Sequence, residues 1–356
     1  MKHRMFAVIC VLMCFLLSGC SFWMDGEYLS VTPHEEVFLQ SNTDVIEVSD
    51  YTQMRNALAE LVESGAQSGI ITVSSLNSET AHHYVNVAVN YVMQSNPIAS
   101  YAVKEITFEI GTNRGVAVIA FAINYHHGRS EILQIKQTES MEEAQDVISN
   151  ALDNCEDSVV LRVKHYDNVD FPQLVQDYGY MNPDVVMEIP QVHSAVYPAE
   201  GQDRVIALSF TYLTSQDDLR DMQEQVEAVF TSAELYVKKT AHVSDIYSRL
   251  YSFLMERNNY VVQTSITPSY SLLHHGVGDS CAFANVYAAM CRRAELDCQV
   301  VSGTRDGVAW CWNVVRFRGK YYHVDLLSCL ENGEFRMLQP SEMTGYQWDD
   351  SGYPQE

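Results

Sequence analysis

Positive charge is scarce in this chain: 22 Lys and Arg stand against 46 Asp and Glu, a formal net charge of −24. A phosphate-backbone partner and a polybasic hold on anionic lipid both need clustered cations, so nucleic acid is excluded as a partner and electrostatic membrane adhesion with it. Metal-ligand spacing is missing as well. There is no C-x-x-C and no H-x-x-x-H, and the doublets His82-His83, His126-His127 and His274-His275 point their rings apart on either a helix or a strand. No metal and no cofactor are expected. Past the N-terminus, no apolar run is long enough to span a bilayer.

What is present begins with Lys2 and Arg4, the apolar run Met5 to Leu17, and Leu17-Ser18-Gly19-Cys20. A basic start, a short apolar core and small residues at its end describe an export signal. The closing four residues resemble the lipobox of bacterial lipoproteins. That resemblance implies removal of residues 1–19, lipidation of Cys20, and an exported chain held to the outer face of the bacterial cell membrane by its N-terminal lipid. Residues 20–43 carry Ser, Asp, Glu, Gly and Pro without periodicity, as a tether would.

From there the chain echoes itself. Met54-Arg55-Asn56-Ala57-Leu58 returns as Ile148-Ser149-Asn150-Ala151-Leu152, and Gly69 to Val73 as Ser158 to Val163. Tyr91 to Pro97 and Tyr178 to Pro183 both close on Asn-Pro, and Val118 to Tyr125 matches Val205 to Tyr212. The order helix, strand, helix ending at Asn-Pro, then an antiparallel strand pair predicts a duplicated α+β module over 44–135 and 140–234. Neither copy carries a catalytic constellation.

A third region, 241–356, opens with Val243, Ile246, Tyr247, Leu250, Tyr251, Phe253 and Leu254 on one helical face. Then Gly276-Val277-Gly278-Asp279-Ser280-Cys281 leads into an amphipathic helix beginning at Cys281, where unpaired amides and the helix dipole favour a thiolate. Strands follow at Cys298 to Gly303, Trp310 to Phe317 and Tyr321 to Leu326. Five of the six cysteines after Cys20 fall between 281 and 329, in a region of helix and strand that needs no staples, so mostly free, buried thiols are expected.

A cysteine opening a helix, then Trp310-Cys311-Trp312-Asn313 on one strand and Tyr321-Tyr322-His323-Val324-Asp325 on the next, resembles the transglutaminase-like domain, a papain-like Cys-His-Asp fold. The resemblance implies Cys281 as nucleophile and Asp325 as the carboxylate that orients a base. It also marks a departure: where the family writes H-A-W-N this chain writes W-C-W-N, so Trp310 takes the place of the histidine, and an indole has only an N–H donor. Glu295 stands where the family ends its helix with Gly. His323, two residues before Asp325, is the substitute base to weigh, with His274 and His275 behind it.

The fold class is therefore α+β, two repeated modules followed by a transglutaminase-like domain with its Cys helix packed on an antiparallel sheet. The expected function is that of a surface lipoprotein whose degenerate transglutaminase-like domain binds or scaffolds a peptide or cell-wall glycan, with Trp310, Trp312 and Tyr322 as aromatic surface and Asn313 beside them. Two alternatives stay open. One is an active thiol enzyme, a cysteine peptidase, amidase or acyl transferase using His323 or water as base; the other is a purely structural role in a surface assembly.

Overall fold

The computed structural model describes residues 45–74, 78–239, 242–256 and 260–349. The expected export signal, Cys20 and tether lie outside the described residues. The first sheet contains β1 (Val45–Val48), β2 (Ser68–Val73), β3 (Val103–Asn113) and β4 (Val116–Tyr125) in the order β1-β2-β4-β3. Only the β1–β2 pair is parallel. Helix α1 (Tyr51–Glu63) links that pair, its first turn closed by Asp50 accepting from the Gln53 amide. Asn-Pro does more than stop α2 (Ser78–Ser95): Asn96 caps a new short helix, α3 (Pro97–Ala102), by accepting from the Ala99 amide.

After α4 (Arg129–Gln134), the second sheet takes β5 (Lys136–Ser140), β6 (Ser158–His165), β7 (Gln191–Tyr197) and β8 (Arg204–Thr211) in the order β5-β6-β8-β7. Again only the first pair is parallel, linked by α5 (Met141–Asp153); α6 (Phe171–Met181) follows β6 and stops at Asn182. Register repeats too, with Val118 opposite Thr72 in one sheet and Val205 opposite Arg162 in the other. Both sheets open on a short parallel edge strand ahead of the first helix, which the alternation in those segments was too brief to reveal.

A two-stranded parallel ladder pairs β9 (Val261–Val262) with β10 (Val277–Gly278), and the C-terminal sheet runs β13 (Lys320–Val324), β12 (Val308–Phe317), β11 (Cys298–Arg305), β14 (Tyr346–Trp348), antiparallel throughout. Against it pack α7 (Gln216–Val237), α8 (Val243–Met255) and α9 (Ser280–Arg293), sharing one core that includes Val226, Phe230, Leu250, Phe283, Tyr287 and Val315. The expected module boundary at 234 is thus displaced. Leu219, Val226, Phe230, Ala233 and Val237 recur on one face of α7, and that face packs into the C-terminal core.

Helix α9 ends at Ala294 in a Schellman closure, the Leu296 amide donating to Cys291 O and the Glu295 amide to Arg292 O. Glu295 holds φ at 58°, a left-handed conformation that disfavours any residue with a Cβ. Glu295→Gly is expected to raise stability by about 1 kcal/mol. Equilibrium urea unfolding checks this, and an unchanged or lower midpoint would refute it.

Candidate functional site

Helix α9 starts one residue earlier than its apolar pattern indicates, at Ser280, because Asp279 is the N-cap and accepts from the Ala282 amide at 2.9 Å. Cys281 is thus the second helical residue, half-buried among first-turn amides. Ser280 Oγ accepts from the Cys311 amide at 3.1 Å, drawing the first turn of α9 onto β12. Residues alternate along β12, so Cys311 and Asn313 face α9, and Asn313 donates through Nδ2 to Ala284 O at 2.8 Å.

That parity corrects the expectation of a free nucleophile. Cys281 is disulfide-bonded to Cys311, with Cα atoms 4.8 Å apart. Cys155, Cys291 and Cys329 are the buried free thiols that were expected, and Cys298 is free and half-buried. Burial pushes the Cys329 thiol up to about 11 and raises Cys155 and Cys291 as well.

Trp310 sits near the start of β12 and its Nε1–H donates to Asp325 Oδ2 at 2.9 Å. An imidazole there would present the same N–H to the carboxylate and a basic nitrogen beyond it; indole supplies the first and lacks the second. Asp325 lies just past β13 rather than on it. It is 4% exposed and caps α10 (Leu326–Asn332), Oδ1 accepting from the Leu327 and Ser328 amides. Oδ2 also accepts from Tyr346 Oη at 2.6 Å and lies 3.6 Å from the Arg305 guanidinium. Arg305 in turn stands 5.3 Å over the Trp310 ring and pairs with Glu331 at 2.6 Å. The carboxylate is saturated with donors. Burial, with the Asp325 bond second, raises the Tyr346 hydroxyl above its ordinary range.

His323 points to the other face of the sheet, beside Val314 and away from α9. Its Nδ1 accepts from Trp312 Nε1 at 2.9 Å and its ring packs on Trp348 at 4.8 Å. An Nδ1 that accepts places the neutral ring's proton on Nε2, and burial pushes the pKa down to about 4. It is therefore no base for Cys281. The unfolded chain, with a His pKa near 6.5, takes up its proton first as pH falls. Stability from this site is complete above about 6.5 and is lost as pH falls toward about 4. The urea midpoint should drop between pH 7 and pH 4.5. His323→Gln keeps an acceptor for Trp312 and should flatten that fall; an equal fall in the variant would assign it to other groups.

Of the expected aromatic surface, Trp310 and Tyr322 are half-buried and Trp312 is buried. Trp312 is 1% exposed and Asn313 0%, while Tyr322 packs against Phe317 and the C-terminal core. His274 and His275 gather on Tyr270 in the π-turn Ser271–His275. Trp310 lines a cavity of about 890 Å³ with Cys281, Cys311 and Ser302. Its opposite wall is Asp177, Tyr180 and Met181 from α6. A second cavity of about 380 Å³ shares Tyr180, Thr264, Asp279, Cys281 and Asn285 with the first and continues past Leu213 and Ile266. The two make one groove bent around Cys281. Met181, Leu213 and Ile266 are 58%, 76% and 57% exposed along its rim, more apolar surface than a solvated edge requires.

Arg293 fastens the two walls, reaching Asp184 at 2.8 Å, Glu227 at 2.5 Å and Glu234 at 3.5 Å, while Arg292 donates to Met181 O. Glu188, buried beside the groove, accepts from the Leu213 and Thr214 amides and fixes the loop that carries Leu213. Sequence reasoning missed this wall, since its residues lie about a hundred positions from Cys281. The only signal for Cys311 was its parity, one residue from each tryptophan. Among the described residues, no group of three His, Cys, Asp or Glu is placed to hold a metal ion, and no helix is long and apolar enough to cross a membrane.

A cysteine in the first turn of a helix thus packs on an antiparallel sheet, beside an indole joined to a buried carboxylate. Residues 231–326 match the sequence profile of the transglutaminase-like superfamily core, and the chain carries a transglutaminase-like domain there. No curated protein matches the chain. Among solved structures it is similar to a TGase, at 10% identity and TM-score 0.28, covering 55% of this chain and 56% of that one. The chain thus spans little more than half of that protein's length. It is also similar to a protein of Cytophaga hutchinsonii assigned as a cysteine protease, at 10% identity and TM-score 0.25, covering 44% of this chain and 70% of that one. A third is a protein of Parabacteroides distasonis assigned as a protease, at 8% identity and TM-score 0.24, covering 72% of this chain and 40% of that one.

Proposed function

We propose that this is a lipid-anchored protein of the outer face of a bacterial membrane whose transglutaminase-like domain holds an extended peptide instead of cleaving it. The observation that carries this reading is the Trp310–Asp325 hydrogen bond: the carboxylate that would orient a base orients an indole, which cannot take a proton. The Cys281–Cys311 bond supports it, since a thiol in a disulfide cannot attack a carbonyl. The groove supports a peptide over a glycan, because its rim offers Met181, Leu213 and Ile266 as sites for apolar side chains.

Trp310 lines the groove and reports on its contents. Titration with peptides bearing apolar side chains should change tryptophan emission, and Leu213→Asp should weaken binding about tenfold or more. A response to cell-wall glycan strands alone would replace the peptide with a glycan. Amide turnover that disappears in Cys281→Ser would overturn the non-catalytic reading and install a thiol enzyme. The anchor is tested separately: Cys20→Ala should release the protein from the membrane pellet after a high-salt wash, because a chain of net charge −24 has no electrostatic hold. Retention in the pellet would reject the lipid anchor.

A further inference from the structure

The Cys281–Cys311 bond joins a half-buried residue to a buried one, Cys311 being 8% exposed. Both residues line the 890 Å³ cavity, and Cys281 also lines the 380 Å³ one, so the disulfide stands at the bend of an open groove. Exposed disulfides are the exchangeable ones, and exchange is faster when the departing sulfur has the lower thiol pKa. Access also decides which sulfur is attacked, and Cys281, half-buried on the second residue of a 14-residue helix and lining both cavities, is the open one. Cys311 lines only the larger cavity, with Ser302 Oγ 3.8 Å from its sulfur. Among the described residues, the free cysteines Cys155, Cys291 and Cys329 are buried and held protonated by that burial, which leaves them unreactive toward this pair.

We propose that the Cys281–Cys311 pair is a thiol–disulfide exchange site that oxidises thiol-bearing ligands entering the groove. A ligand thiolate attacks Cys281 Sγ; a sulfur–sulfur bond forms there, the Cys281–Cys311 bond breaks, and its electron pair passes to Cys311 Sγ. A second ligand thiolate attacks the ligand sulfur of the mixed disulfide, the ligand disulfide leaves, and Cys281 departs as a thiolate. The two protons lost by the ligand thiols end on Cys281 and Cys311. Two thiols become one disulfide, and the protein disulfide becomes a dithiol. The inference is independent of the binding function, since it is read by counting thiols and not by ligand affinity.

The test uses the full-length protein in detergent, under anaerobic conditions, with either reduced glutathione or a short cysteine-containing peptide with apolar flanks. Samples are quenched with an alkylating agent and their cysteines mapped by mass spectrometry. The expected result is reduction of Cys281–Cys311 in natively folded protein, with a transient adduct on Cys281 and the peptide reacting at least tenfold faster than glutathione. Equal rates for the two would support exchange and name small thiols as the partner. A disulfide that resists both thiols until urea is added, or an adduct confined to Cys298, overturns the proposal. Cys281→Ser, run in parallel, removes the disulfide and should abolish the adduct; an adduct that persists would place the chemistry at Cys298 and overturn the proposal too.

Discussion

In protein carrying both Trp310→His and Cys311→Ser, the Cys281 thiol is expected to titrate about one to two units below its value in Cys311→Ser alone. Two obstacles keep Cys281 from reacting, the missing base and the disulfide, and they have to be removed together. Cys311→Ser frees the thiol and leaves it only the amides of the α9 first turn, which set its pKa somewhat below the free value of about 8.5. An imidazole at 310 can donate one ring N–H to Asp325, as the indole does, and when protonated turn its other nitrogen toward Cys281 as a cation. An opposite charge within about 4–6 Å lowers a pKa by about 1–3 units. Below the pKa each unit is about a tenfold gain in thiolate, so iodoacetamide at pH 6 should label the double variant at least ten times faster than Cys311→Ser. The smaller ring and the loss of stacking under Arg305 cost about 1–3 kcal/mol, which leaves alkylation of folded protein the right readout. Adding Asp325→Asn should reverse most of the shift, since an amide neither steadies the imidazolium nor fixes its tautomer. Identical pH profiles for the single and double variants would show that Trp310 is not what keeps Cys281 from a base.

What could be read in the sequence, and what could not, divides along physical lines. Periodicity located α8, α9, β11 and β12 because each carries several turns or alternations of apolar residues. It failed at β1, β5 and β14, whose runs are short, and at Asp325, where an acid before Leu326-Leu327 reads equally as the end of a strand or as a helix cap. Alternation from Trp310 already divides β12 into two faces, but it does not say which face meets α9 or which is closed to solvent. Trp312 is sealed by Tyr346 and Trp348, from a strand beyond the third region's recognisable motifs. The disulfide depends on a Cα separation that no sequence spacing encodes. The groove's second wall depends on how α6 docks beside α9 through Arg292 and Arg293, a tertiary fact carried by chain segments far apart in order.

Asp325→Ala is expected to be the most destabilising single change at the site, by about 3–5 kcal/mol. Five donor groups converge on this buried carboxylate: the Trp310 indole, the Tyr346 hydroxyl, the Arg305 guanidinium and two amides at the start of α10. Losing the cap alone costs about 0.5–2 kcal/mol, and removing one partner of a buried charged pair costs about 3–5, because the groups left behind stay buried without their acceptor. The costs overlap, since the same oxygens serve several donors and Arg305 keeps Glu331 as a partner. At about 2–4 °C per kcal/mol for a domain of 150–250 residues, the transition that melts the C-terminal domain should fall by about 10 °C. Asp325→Asn should fall between, because its carbonyl can still cap α10 while its amide cannot accept from both Trp310 and Tyr346. A carboxylate kept only to orient a catalytic base would behave otherwise, its removal costing turnover and little stability. Calorimetry on Asp325→Ala therefore separates the two roles: a shift under about 2 °C would deny the carboxylate its structural part and revive an orienting one.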